Sequence, residues 1–310
     1  MQEDIMCIPQ ELLILGGAVQ AGLIEALHNK PMTVFQVTDM LGMDERAVWT
    51  ITEALLTLGY LEKLKEGHLT LSQKAMNLMY NQNDPKYMGF AFMYRYDMLK
   101  TWIHIPEVLK SGKPHPYEIT PLDHQYFIEA MRYGAGKCAQ AIVEFLLKGY
   151  PKGIEVLDVG GGPLVFARLF AERGARVTVL DIPSVVAQYK KEASEYNIRM
   201  VAGDFIVGLP EGPYDLIYLG NVSHILGEQG NQGLLKRSAM VLAKKGRIAI
   251  GDFVRDENPY AAIYAVNMLV NTAQGGTWTF EQYEEWMKSV KLQDITLNKV
   301  MDRHIITAEK

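Results

Sequence analysis

The amino-acid sequence predicts an α/β fold in which a mostly parallel sheet occupies the second half and a smaller helical module precedes it. Two patterns carry that expectation. After Pro151, short β-branched runs (IEVLDV, RVTVLDI, IRMVAGD, YDLIYLG and GRIAIGDFV) alternate with helical stretches near 165–173, 184–196, 229–242 and 260–270. Such alternation builds βαβ units, a parallel sheet with helices on both faces. Before Tyr150 the apolar spacing is helical, interrupted by one hairpin signal. The segments LQDITLNKV and RHIITAEK close the chain as two further strands turning back on each other.

Bulk properties narrow the function classes. A chain of 310 residues has room for two domains, and 48% hydrophobic with 22% charged residues excludes a disordered or fibrous protein. The formal net charge of −5 speaks against a whole-protein electrostatic grip on nucleic acid. Cys7 and Cys138 are far apart, which excludes a disulfide scaffold and any CxxC metal site. No segment approaches the ~20 apolar residues of a membrane span, and the acidic start MQEDIMCIPQ lacks the basic region of a signal peptide. A reducing, cytoplasmic protein with no membrane attachment is expected. The methionines and tyrosines, sixteen of each, read as adaptable core and pocket packing.

The N-terminal module takes residues 1–84. Over 10–29, Leu12, Leu15, Val19, Leu23 and Leu27 fall at helical spacing. A short helix follows, opened by Thr33 and stopped near Gly42. A third is capped by Asp44, striped by Val48, Ile51, Leu55 and Leu58, and ended by Gly59. Residues 60–64 and 68–71, with Glu66-Gly67 as the turn, complete a winged helix-turn-helix. The third helix carries Arg46 against Asp44, Glu45 and Glu53, a poor match to phosphate. A dimerisation module is therefore favoured over DNA binding, and the very apolar Leu12-Leu13-Ile14-Leu15 suits a helix buried against a second subunit.

Residues 85–150 read as a helical connector that roofs the pocket of the domain behind it. The stretch is rich in aromatics, including Tyr94 and Trp102, and its proline-rich loop SGKPHPYEITP separates two long helices. His104, His115 and His124 have no metal-ligand spacing, and no metal is expected.

Chemistry concentrates in the third part, 151–310. Asp158-Val159-Gly160-Gly161-Gly162-Pro163 stands where the first strand meets its helix, and open α/β sheets bind ligands at that edge. A dinucleotide fingerprint counted from Gly160 would need glycine where Val165 stands. The next two strands end in Asp181 and in Gly203-Asp204-Phe205. Asp181 suits a ribose, and Asp204 with Phe205 an adenine. Carboxylates at three successive strand ends suit a cationic sulfonium amino acid better than a dianionic pyrophosphate.

The motifs LDVGGGP, VTVLDIP, VAGDF, LPEGPYDLIYLGNVSHILGEQGNQGLLKRSAMVL, GRIAIGDFV and NMLVNTAQGG occur in that order. In them the chain resembles the class I S-adenosylmethionine-dependent O-methyltransferases of small molecules, of caffeate, hydroxyindole and antibiotic-tailoring type. The resemblance implies a Rossmann-like catalytic domain behind a winged-helix dimerisation domain, a homodimer, a small-molecule acceptor and S-adenosylhomocysteine as product. It implies a cofactor site of Asp158, Gly160, Gly161, Gly162, Asp181, Ile182, Asp204, Phe205 and Asn221. His224 would be the catalytic base and Asp252 the carboxylate that orients it. Tyr94, Trp102, Met131, Asn267 and Asn271 would meet the acceptor, although the two asparagines equally suit capping or bridging helices.

The chain departs from the family pattern at four places. Leu164 replaces a third glycine, so a differently shaped turn is expected. Ile225 and Leu226 follow the histidine in place of a polar residue and a tryptophan. No acidic residue follows Gly275-Gly276, where Thr277, Trp278 and Thr279 stand. The expected activity is methyl transfer to a hydroxyl of a planar, partly apolar small molecule. Transfer to carbon, nitrogen or sulfur, and a non-catalytic winged-helix ligand sensor, are the alternatives.

Overall fold

Caps and glycines punctuate the first part of the chain. The structure is a computed structural model that describes residues 9–118, 120–136 and 138–310, so Cys7 lies outside the described residues. The apolar spacing over 10–29 is carried by two helices rather than one, α1 (Gln10–Gln20) and α2 (Leu23–Asn29). Gly22 between them adopts φ 84°, and the pair bends by 66°. Thr33 opens α3 (Val34–Leu41) with a capping box: its hydroxyl accepts the Gln36 N–H, and the Gln36 side chain accepts the Thr33 N–H. Asp44 caps α4 (Glu45–Thr57) by accepting the Ala47 N–H at 2.8 Å.

The strands β1 (Leu61–Lys63) and β2 (Leu69–Leu71) pair antiparallel, and Ser72 then starts α5 (Gln73–Met79). A core of Leu15, Ile24, Leu27, Val37, Leu55 and Leu61 closes this part. Four helices follow: α6 (Ala91–Trp102), α7 (Ile105–Ser111), α8 (Pro121–Gly136) and α9 (Ala139–Leu147). Contacts divide the chain into two units: the described residues of 1–100 and 119–130, and those of 101–118 and 131–310. The described residues of 85–150 fall partly in each of the two units. Among the described residues no single helix is long and apolar enough to cross a membrane.

The second unit contains β3 (Glu155–Val159), α10 (Val165–Glu172), β4 (Arg176–Asp181), α11 (Pro183–Glu195), β5 (Arg199–Ala202) and β6 (Tyr214–Gly220). Then come α12 (Glu228–Val241), β7 (Leu242–Asp252), β8 (Val254–Arg255), α13 (Pro259–Asn271), β9 (Trp278–Thr279), α14 (Phe280–Ser289), β10 (Gln293–Val300) and β11 (Arg303–Glu309). Seven of the strands form one sheet in the order β10-β11-β7-β6-β3-β4-β5. β5, β4, β3, β6 and β7 run parallel, whereas β11 pairs antiparallel with β7 and β10 antiparallel with β11. The fold is the mostly parallel α/β architecture that the sequence predicts. Strand order reverses between β3 and β6, the kind of place where open α/β sheets bind ligands at the carboxyl ends of their strands.

The helix α14 has no counterpart in the sequence reading. Thr279 starts it with a second capping box, and Tyr283, Trp286 and Met287 bury one face in the sheet's core. Their spacing of three and four was the available signal. The short parallel pair β8–β9 was likewise not anticipated.

Leu164 resolves one departure from the family pattern. It adopts φ 61° and ψ 15°, the left-handed conformation glycine takes most readily, and its side chain is fully buried. Backbone strain of ~1–2 kcal/mol is therefore offset by burial of a leucine, about 1.5–3 kcal/mol. Leu164→Ala is expected to lose ~2–5 kcal/mol of unfolding free energy, and Leu164→Gly less, because glycine removes the strain. Chemical denaturation of both variants checks the order, and a more stable alanine variant would contradict it.

Candidate active site

Five parallel strands deliver their chemistry to one edge of the sheet. Asp158 lies on β3 one residue before its end, and the turn behind it holds Gly160 (φ 68°), Gly161 and Gly162. A Cβ added to Gly161 would stand 2.8 Å from Asp158 Oδ2 and 2.9 Å from Val179 Cγ1, so only glycine fits there. Asp158 is buried, and its Oδ2 has no hydrogen-bond partner among the described residues. Burial first, and the neighbouring Asp181 second, raise its carboxyl to about 7.

Asp181 ends β4 and ties that strand to the glycine turn. Its Oδ2 accepts the Gly162 N–H and its Oδ1 the Ile182 N–H, both at 2.8 Å. Asp204, past β5, is exposed, and its Oδ1 accepts the Ile206 N–H at 2.8 Å. Phe205 packs against the sheet's core, whereas Ile182 is exposed. Asn221, just past β6, adopts φ 56° and donates its N–H to Gly251 O at 2.9 Å, joining the ends of β6 and β7.

His224 stands in a single 3₁₀ turn, Ser223–Ile225, immediately beyond β6. The structure brings it onto Asp252, the last residue of β7. His224 Nδ1 lies 2.7 Å from Asp252 Oδ1, and the His224 backbone N–H donates to Oδ2 at 3.1 Å. The Phe253 N–H also donates to Oδ1. Both side chains are buried. Nε2 is the ring nitrogen that does not face Asp252.

The residues expected at the acceptor site divide. Trp102 Nε1–H donates to Asn267 Oδ1 at 3.2 Å, and Asn271 Nδ2 donates to the same oxygen at 2.9 Å. Asn267 is thereby a buried bridge between helices, the alternative left open for it, while Asn271 is exposed beside it. Met131 is half-buried on α8. Tyr94 belongs to the first unit, where its ring meets Phe127 edge-on. Thr277, which stands where an acidic residue was expected, is fully buried and donates to Ala261 O.

Two functional candidates were missed. Asn231, in the first turn of α12, donates from Nδ2 to the carbonyls of Ser223, Leu226 and Gly227 at 3.0–3.2 Å and accepts the Ser223 hydroxyl. It braces the turn that carries His224, and a lone asparagine beside Leu234 and Leu235 was its signal. Tyr264, on α13, places its hydroxyl 3.3 Å from His224 Nε2. Nothing in the sequence pairs residues forty positions apart. Among the described residues no cluster of side chains has the makings of a metal site.

Residues 123–291, more than half of the chain, match the family model described as the O-methyltransferase domain. The chain belongs to that family. It is an S-adenosylmethionine-dependent enzyme that methylates small molecules, as the family and its relatives indicate. The tetracenomycin polyketide synthesis 8-O-methyl transferase TcmO of Streptomyces glaucescens is 23% identical over 91% of this chain and 88% of its own. The 3-hydroxy-5-methyl-1-naphthoate 3-O-methyltransferase of Streptomyces sahachiroi is 23% identical over 91% of this chain and 86% of its own. Human N-acetylserotonin methyltransferase, solved in complex with its cofactor, shares the fold with a TM-score of 0.76 at 21% identity, over 97% of this chain and 94% of that one.

The Asp158 carboxyl has a measurable consequence. Its folded pKa lies above its unfolded one, so between pH ~4 and ~7 the folded state holds the extra proton. The stability it contributes is full below pH ~4 and is lost as pH rises through about 7. Unfolding of the ligand-free enzyme across pH 4–8 is expected to show this decline, and Asp158→Asn to flatten it. Equal slopes for the two proteins would contradict the assignment.

Proposed function

We propose that this enzyme methylates a hydroxyl of a planar, partly apolar small molecule, with His224 as general base and Asp252 as its orienting carboxylate. The observation that carries the reading is the buried His224–Asp252 pair at the carboxyl edge of the sheet, the edge that also holds Asp158 and the glycine turn. The cofactor cradle has the required chemistry. A buried carboxylate oxygen without a partner suits the ammonium of an amino acid, and a glycine that admits no Cβ allows close approach. Asp158 with Gly160, Gly161 and Gly162 would hold the methionine portion, Asp181 and Ile182 the ribose, and Asp204 with Phe205 the adenine. Asn221 would complete the site.

Bound S-adenosylmethionine supplies an electrophilic methyl group. The protein's own work is to position the acceptor and remove its proton. Nε2 of His224 takes the hydroxyl proton, and Asp252 stabilises the imidazolium that results. Trp102, Met131 and Asn271 line the acceptor's side in this reading. Asn267 acts there by holding Trp102 in place.

Residues 1–84 are read as a winged-helix module that joins two copies of the chain. The exposed start of α4 carries Glu45 and Arg46, a mixed face that favours a protein partner over nucleic acid. A cytoplasmic address completes the proposal.

The test needs an acceptor, which mass spectrometry can find by screening hydroxylated aromatic compounds for a transferred methyl group. His224→Ala is expected to lower turnover by ~10²–10⁴-fold while S-adenosylhomocysteine binding is kept. An unchanged rate would remove His224 from the mechanism.

A further inference from the structure

The two nitrogens of His224 meet different chemistry. Nδ1 faces Asp252 Oδ1 at 2.7 Å, and a ring hydrogen on Nδ1 that donates to this oxygen leaves the lone pair on Nε2. The Nε2 atom lies 3.3 Å from the hydroxyl of Tyr264, and the two rings stand nearly perpendicular, 85° apart with centroids at 5.0 Å. Tyr264 is half-buried on α13, and its ring lies 4.2 Å from that of Phe253, the residue following Asp252. Arg303 covers Phe253 at 5.1 Å from its ring centre. The strand end that supplies the carboxylate to one nitrogen of the imidazole thus also supports the phenol at the other.

We propose that Tyr264 is a positioning residue for His224. In the acceptor-free enzyme its O–H donates to Nε2, holds the imidazole in the Nδ1–H form and stops it from turning away from Asp252. The acceptor's hydroxyl needs the same lone pair, so it replaces the phenol when it binds. Once Nε2 has taken the acceptor's proton, the Tyr264 oxygen can accept the new N–H, because a phenol both donates and accepts. A carboxylate in that place would have nothing to donate to a neutral Nε2. Thr277, in the stretch after Gly275-Gly276, is turned to Ala261 O instead. Asp252 is the one carboxylate paired with the imidazole among the described residues. A neutral phenol adds no second negative charge.

This inference rests on His224 as the base, yet its test requires no acceptor. Enzyme labelled with ¹⁵N-histidine and saturated with S-adenosylhomocysteine is observed by long-range ¹H–¹⁵N correlation. His224 is expected as the Nδ1–H tautomer, with its Nε2 signal shifted by a donated hydrogen bond. Tyr264→Phe is expected to move that signal downfield towards a bare pyridine-type nitrogen, with S-adenosylhomocysteine affinity unchanged within about twofold. Should the phenylalanine variant fail to fold, 3-fluorotyrosine incorporation makes the phenol a stronger donor and should move the signal the opposite way. An Nε2 resonance that responds to neither change overturns the proposal.

With an acceptor in hand, Tyr264→Phe should lower kcat roughly 3–10-fold with the KM for S-adenosylmethionine unchanged, and the effect should vanish in a His224→Ala background. If His224→Ala itself leaves turnover intact, the base reading fails while the ¹⁵N result still stands. If His224→Ala is damaging but Tyr264→Phe leaves Nε2 unmoved, the Tyr264 inference alone fails.

Discussion

The carboxylate of Asp252 is the joint on which the site depends. It takes three hydrogens at once: the His224 ring at Nδ1, the His224 backbone N–H and the Phe253 N–H. Those bonds fasten the turn after β6 to the end of β7, two strands whose parallel register already aligns Gly220 with Gly251. A buried carboxylate requires such partners, because removal from water disfavours its charge. The arrangement that fixes the histidine is therefore also what permits the aspartate to be buried.

Asp158 shows the opposite condition. It is equally buried but leaves one oxygen without a partner, and its neighbour Asp181 has the same sign of charge. The fold thus tolerates an unfavourable charge at the place where a cationic group would bring relief. The two aspartates stand on adjacent strands of one sheet edge, where the charge of Asp181 adds to burial in raising the Asp158 carboxyl.

Much of the architecture was legible because it is local. Thr33 and Asp44 cap the helices they were expected to cap, and the β-branched runs after Pro151 are the strands of the sheet. Errors fell where a local pattern has two outcomes. Apolar spacing over 10–29 persists through the bend at Gly22, since periodicity reports which face is apolar and not whether the axis is straight. Leu164, where the family pattern has a third glycine, holds a left-handed backbone with a fully buried side chain. Burial offsets a strain that composition alone would have counted against it.

The sequence by itself determined the family, the strand ends that bear Asp158, Asp181 and Asp204, and the candidate pair His224 and Asp252, because these belong to short motifs at fixed spacing. Only the tertiary structure decided what those residues touch. Asn231 beneath the His224 turn, Tyr264 at Nε2 and Asn267 committed to Trp102 depend on how helices pack on the sheet. Hydrogen bonds across such distances in sequence leave no periodicity, since each requires only that one polar side chain reach one partner.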